Sequence, residues 1–382
     1  MSTTENDLQV LAWLYARLDD LHARQGSDLF LSPDSPPAVK VNGQLVRLSD
    51  RPISGDNTLA LARAIMTPLQ FSHFQQTKES NFAIAPPDRP RFRVNAFMQL
   101  GQAGMVFRAI AANPPSLDGM GLPQALKTIA LQKRGLVILV GATGAGKSTT
   151  LAAMVDWINQ KSQGHIVTVE DPIEFLHPHK QCLVTQREIG IDTLDWSLAL
   201  KNALRQAPDV IVVGELRDRD STDQAVSFSE TGHLVLATMH ANNTNQALER
   251  IVSFFPENSR PRLYMNLSLN VHALISQRLV RRADGRGRLA AVEIMVNTPL
   301  IRGMIQKGDI PGIRTAMGSQ HAEGMQTFQD ALFALYESNA ITLEEALRNA
   351  DSMNDLRLQI KLHSKRKGIN DLSAGTENLG IV

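Results

Sequence analysis

Residues 136–150 read LVILVGATGAGKSTT, an apolar run that passes directly into a glycine loop, a lysine and a string of hydroxyl residues. A strand that is apolar at every position has no face for water, so it belongs inside a sheet covered on both sides. HIVTVE at 165–170, DVIVVG at 209–214 and HLVLAT at 233–238 share that property, with helix-forming segments between them. This alternation predicts an α/β fold, a parallel sheet with helices on both faces.

The loop itself fits G-x-x-x-x-G-K-[ST] at Gly141, Gly146, Lys147 and Ser148, after a buried strand and before the helix-like STTLAAMVDWINQ. That is the context the motif needs, and a chance match in a chain of this length has a probability of about 1% at average composition. Backbone amides of a glycine-rich loop curl around phosphate, a lysine at this place reaches the β and γ phosphates, and the next hydroxyl is a ligand for Mg²⁺. Gly141, Thr143, Gly144, Ala145, Gly146, Lys147, Ser148 and Thr149 are therefore the candidate nucleotide contacts, with ATP or ADP and Mg²⁺ as the implied cofactors.

Such a loop needs an acidic group at the end of a neighbouring strand. Asp209 stands at the start of VIVV, several residues too early, so Glu215 in VIVVGE joins Ser148 as the candidate for the metal. A surface carboxylate after a strand is the plain alternative. EDPIE at 170–174 ends the preceding strand, where ligand-contacting loops gather; Glu174 either orients an attacking water or belongs to a solvated loop. His240, in TMHANN, ends a third strand, placed to hydrogen-bond a phosphate or a carboxylate, although a lone histidine is usually structural. HPH at 177–179 lacks the further ligands that zinc requires.

Upstream the pattern is different. DLQVLAWLYARLDDLHAR spaces Leu8, Leu11, Leu14 or Tyr15, Leu18 and Leu21 as one helical face, and AVKVNGQLVRL carries a hairpin turn at Asn42-Gly43. RFRVNAFMQL alternates Phe92, Val94, Ala96, Met98 and Leu100 against Arg91, Arg93, Asn95, Phe97 and Gln99, a half-buried strand. Residues 1–112 thus read as a small α+β domain on a mostly antiparallel sheet, 113–123 as a Pro- and Gly-rich linker, 124–365 as the α/β domain with a helical C-terminal part, and 366–382 as a flexible tail.

Composition sets the outer bounds. Among 382 residues, 39 basic against 38 acidic side chains leave a formal charge of +1, and with 5% aromatics there is no phosphate-tracking or base-stacking surface, so no nucleic-acid partner is expected. One cysteine, Cys182, forms neither an internal disulfide nor a cysteine zinc site; it reads as a buried or idle thiol in a reducing compartment. The N-terminus MSTTENDLQV is acidic where a signal peptide would be basic, and LVILV is too short to span a bilayer, so a cytoplasmic location is expected.

With SDLFLS, RFRVNAF, GATGAGKSTTLAAM, VEDPIEF, LRQAPDVIVVGELRD, ETGHLVLATMHANN, SQRLV, EIMVNTPLIRGMIQKG and GMQTF in order, the chain resembles, from about residue 7 to 365, the bacterial secretion ATPases of the type IV pilus retraction group, the PilT and PilU proteins. HANNTNQALERIVSFFP and LSLNVHALISQRLV look more like PilU. The resemblance implies a PAS-like N-terminal domain and a RecA-like P-loop ATPase domain assembled as a homo-hexamer. It also implies a catalytic role for Glu174, a Walker B role for Glu215 and a histidine box at His240, with Arg93 and Arg108 reaching the γ-phosphate as the subunit closes. The partners it implies are the inner-membrane pilus platform protein, at whose face the ring would sit, and a PilT-type motor.

Three other functions remain open at this point. An accessory ring that binds ATP without retracting pili alone is one. A pilus or secretion assembly ATPase is another, disfavoured because such proteins usually carry a four-cysteine zinc motif and this chain has one cysteine. A RecA-like helicase is the third, disfavoured by the near-zero charge.

Overall fold

The computed structural model describes residues 5–41, 43–110, 113–319 and 324–366. Asn42, residues 111–112 and the expected tail from 367 onward lie outside the described residues. The chain divides into two compact units, Met1–Asn113 with Glu174–Leu176, and Pro114–Ile173 with His177–Val382.

The first unit contains α1 (Glu5–Ala23), β1 (Asp28–Leu31), β2 (Ala38–Val41), β3 (Gln44–Arg47), α2 (Gly55–Ile65), α3 (Pro68–Thr77), β4 (Glu79–Ile84), β5 (Phe92–Gln99) and β6 (Gln102–Ala109). Its six-stranded sheet runs β3-β2-β1-β6-β5-β4, and every pairing is antiparallel. Phe92, Val94 and Ala96 face the core as the alternation requires, together with Phe107 of β6 and Leu14, Leu18 and Leu21 of α1. At its ends each expected stripe runs into solvent, with Leu8 57% and Leu100 fully exposed, because the sheet stops covering them. β6 starts at Gln102, earlier than the sequence implied, since Leu100 and Gly101 alone make the turn.

The second unit contains α4 (Ala125–Ala130), β7 (Gly135–Val140), α5 (Lys147–Lys161), β8 (Gly164–Glu170), β9 (Cys182–Glu188), α6 (Trp196–Ala203), β10 (Val210–Val213), α7 (Arg219–Glu230), β11 (Leu234–Met239), α8 (Thr244–Ser253), α9 (Arg260–Asn270), β12 (Val271–Arg281) and β13 (Arg288–Val296). α10 (Pro299–Lys307), α11 (Ile310–Ser319), α12 (Phe328–Glu337), α13 (Leu343–Asn349) and α14 (Met353–His363) complete it. Sheet order is β13-β12-β7-β11-β10-β8-β9. The four strands expected from sequence are all present, and β9, β12 and β13 extend the sheet beyond them.

β7 is inaccessible along its apolar run. Leu136, Ile138 and Val140 enter one core, Val137 and Leu139 the other, so both faces are covered, as a strand without polar positions demands. β13 corrects the expectation of a purely parallel sheet: it pairs antiparallel with β12, because residues 282–287 are too few to form the crossover that a parallel return needs. The segment read as a linker inserts Leu117 and Leu122 into the core beside α4 and α5. Helices α12–α14 enclose a smaller core around Phe328, Leu332, Leu356 and Ile360.

Asp209 caps the sheet's entry edge, its carboxylate accepting from the His165 amide at 2.8 Å. Cys182 is buried, its thiol donating to the Ser162 carbonyl at 3.1 Å, and burial pushes its pKa up. In HPH, His179 Nδ1 accepts from the Val184 amide at 3.1 Å, while burial pulls the His177 imidazole down to about 4. The unfolded chain takes up that proton below pH 6.5 and the folded chain does not, so the stability this site contributes is complete above 6.5 and is lost as pH falls toward 4. Urea unfolding at pH 7 and pH 4.5 should therefore show a smaller acid loss in His177→Gln than in the wild type, by up to about 3 kcal/mol; equal losses would show that His177 is not held neutral.

Candidate nucleotide site

The site grows from the carboxyl ends of adjacent strands, where an open α/β sheet presents its loops. β7 delivers residues 141–146, α5 begins at Lys147, and Gly146 caps that helix with no side-chain bond, leaving its first amides free to face the loop. Gly146 has φ +87, and a Cβ there would come within 2.6 Å of Gln277 Nε2. A Cβ on Gly141 would meet the Gln277 carbonyl at 2.7 Å. Both glycines are thus required by the approach of β12. Thr143, Gly144 and Ser148 are exposed, Thr149 is half-buried, and Ala145 is buried.

Lys147 is buried, and its ammonium donates to the carbonyls of Gly141 at 2.8 Å and Ala142 at 3.1 Å. Burial lowers its pKa, and the charge of Glu215 works in the opposite direction. Glu215, just past the end of β10, is held from two sides: Arg217 Nε donates to Oε2 at 2.7 Å, and His240 Nε2 lies 3.1 Å from Oε1. His240 follows β11. Burial lowers its pKa, and the Lys147 charge lowers it further against the pull of Glu215, so the ring is neutral near pH 7. A carboxylate offers only acceptors, so Nε2 carries the hydrogen and donates it to Glu215.

Arg217 also reaches Asp171 at 3.4 Å, which ties the acidic box after β8 to Glu215. Glu170 of that box accepts from the Thr168 hydroxyl at 2.7 Å. Two clefts flank the glycine loop. One, of about 240 Å³, is lined by Ala142–Ala145, Asn242, Gln277, Arg278, Leu279 and Arg288. The other, of about 520 Å³, runs past Ala142, His240, Asn242, Gln246 and Arg250.

Lys147, Glu215 and His240 therefore form one cluster in the second unit. Glu174, exposed, groups with the first unit, as do Arg93 and Arg108. Within that unit the two arginines are direct cross-strand partners on β5 and β6, and Arg108 Nε donates to the buried Asp28 carboxylate at 2.7 Å from the opposite neighbour, β1. Sequence reasoning passed over Arg217, two residues after Glu215, and Gln277. They lie in LRQAPDVIVVGELRD and SQRLV, where the signal is a polar residue that follows or interrupts a strand.

Residues 4–367 match the family described as Type II/IV secretion system protein. The chain belongs to this family. Among its members, the Type IV pilus ATPase PilU of Pseudomonas aeruginosa is 50% identical over 93% of this chain and 93% of its own. The Type IV pilus retractation ATPase PilT of the same organism is 41% identical over 86% of this chain and 95% of its own. Among solved structures, the pilus retraction motor PilT with bound ADP superposes with a TM-score of 0.83 at 35% identity, covering 88% of this chain and 97% of that one. As a secretion-family protein, the chain thus shares its α/β architecture with a protein solved in complex with a nucleotide.

Because Glu215 holds the His240 pKa up against burial and Lys147, Glu215→Gln should move the His240 titration to still lower pH in ¹³C-histidine NMR spectra. An upward shift would show that the carboxylate does not face the ring in solution.

Proposed function

We propose that this chain, an ATPase, is a cytoplasmic motor that assembles as a homo-hexamer and converts ATP hydrolysis into type IV pilus retraction, in the manner of PilU and together with a PilT-type motor. The observation that carries this reading is the Lys147–Glu215–His240 cluster at the ends of β7, β10 and β11, in a chain 50% identical to PilU over nearly its full length. Its donor set suits a nucleoside triphosphate: free helix amides, a buried ammonium and an accessible Ser148 hydroxyl.

In this reading Gly141, Thr143, Gly144, Ala145, Gly146 and Thr149 cradle the phosphates, and Lys147 leaves the loop carbonyls to pair with the β and γ oxygens. Ser148 and Glu215 would hold Mg²⁺, which would supply charge neutralisation on the phosphate oxygens. His240, kept neutral, fixes the Glu215 carboxylate. Glu174 orients the attacking water as general base, and Arg93 with Arg108 stabilises charge on the terminal phosphate.

The N-terminal PAS-like domain (1–112) and the RecA-like domain (124–365), joined through 113–123, close and open with each turnover, and successive closures around the ring move the partner. That partner is the inner-membrane platform protein of the pilus, with the ring held peripherally at the cytoplasmic face of the membrane. No helix among the described residues is long and apolar enough to cross a membrane. The higher identity to PilU than to PilT also supports an accessory ring that needs a second motor; retraction in cells lacking every other retraction ATPase would exclude it.

Steady-state Mg·ATP turnover beside particle mass from light scattering tests the motor directly. Glu174→Gln should lower kcat by at least about 100-fold, a general-base loss, with ADP binding unchanged and the ring mass retained. Wild-type turnover in that variant would remove Glu174 from its role, and a monomeric mass under all nucleotide conditions would remove the ring.

A further inference from the structure

We propose that Gln277 is a positioning residue for nucleotide binding: from β12 it holds the glycine loop in its phosphate-accepting shape through the Ala145 carbonyl and the Thr150 hydroxyl. The inference rests on the nucleotide reading of the loop.

A loop that turns its amides toward a phosphate must turn its carbonyls into the protein, and a buried carbonyl needs a donor. Lys147 serves those of Gly141 and Ala142. Ala145 is served instead by Gln277 Nε2 at 2.7 Å. The Ala145 carbonyl can only accept, so it fixes Nε2 toward the loop, and Oε1 on the other side accepts from the Thr150 hydroxyl at 2.7 Å in the first turn of α5. One side chain, of a residue 3% exposed, therefore ties the loop to the helix. The Gln277 backbone carbonyl at Gly141 and its side-chain Nε2 at Gly146 also meet the loop where an added Cβ would collide.

The two kinds of tie behave differently when a nucleotide binds. A phosphate competes for the Lys147 ammonium, which frees the Gly141 and Ala142 carbonyls. Gln277 carries no charge and points at a carbonyl, so its bonds persist and keep the cradle open to the ligand. Removing them should therefore appear in affinity before it appears in chemistry.

The test uses the full-length chain, with fluorescent ADP titration and steady-state ATP kinetics. Gln277→Leu loses both bonds at similar volume; Gln277→Glu keeps the Thr150 bond and loses the donor to Ala145. Thr150→Val loses only the bond to Oε1. The ADP Kd and ATP KM should rise about tenfold or more in both Gln277 variants and about two- to fivefold in Thr150→Val, as expected for a buried carbonyl left unpaired against one bond lost. In each variant kcat should stay within about threefold, and adding Thr150→Val to Gln277→Leu should cost nothing more, since the pair acts as a unit. A folded Gln277→Leu protein with unchanged Kd and KM, or with a fall in kcat alone, overturns the proposal. If Gln277→Leu does not fold, an unchanged Kd in Thr150→Val overturns it instead. Failure of the wild-type chain to bind ADP would overturn the nucleotide reading itself, an outcome separate from either.

Discussion

Everything at the candidate site depends on β7 having no solvent face. Five successive apolar side chains are buried, alternately in two cores, so the strand can occupy only the interior of the sheet, with β12 on one side and β11 on the other. That position decides what stands beside the glycine loop when the strand ends: Gln277 from β12 against Gly141 and Gly146, His240 from β11, and Glu215 from β10 one strand further. Burial of the apolar side chains in these strands is worth roughly 0.8 kcal/mol per methylene, which summed over four strands far exceeds any polar contact at the site. The polar groups are therefore placed by the apolar ones and do little to hold the fold.

Charge at this edge is arranged in a chain. Burial presses both Lys147 and His240 toward neutrality and the Lys147 charge adds to that pressure at His240, while Glu215 opposes it on each. Arg217 extends the chain from Glu215 to Asp171 in the acidic box through two ion pairs. Arg278, adjacent to Gln277, leads the other way: it donates to the Asn242 carbonyl at 3.1 Å, pairs with Asp351 at 2.5 Å and lies 4.0 Å over the Phe328 ring. The GMQTF motif, whose phenylalanine is Phe328, thereby gains a physical connection to the loop after β11.

Much of this was legible in the sequence because periodicity and glycine spacing are local. Phe92, Val94 and Ala96 point inward as a period of two dictates, Leu14, Leu18 and Leu21 as a period of 3.6 dictates, and Lys147 opens a helix where the motif requires one. β12 escaped notice for a physical reason. Its apolar run is broken by Ser276, Gln277 and Arg278, the residues that bond to Asn242, to the glycine loop and to the C-terminal helices. Local pattern fails where side chains serve the site.

The amino-acid sequence by itself determined which strands are buried on both faces, where the phosphate-type loop lies, and which carboxylates and histidine end the strands, because hydrophobic period and backbone conformational demand are properties of short segments. Only the tertiary structure decided that Glu215 is gripped by His240 and Arg217, that Arg93 faces Arg108, and that a glutamine from residue 277 closes the loop at 145–150. Those pairings depend on strand order, and strand order is set by how the whole set of apolar faces packs, which no single segment records.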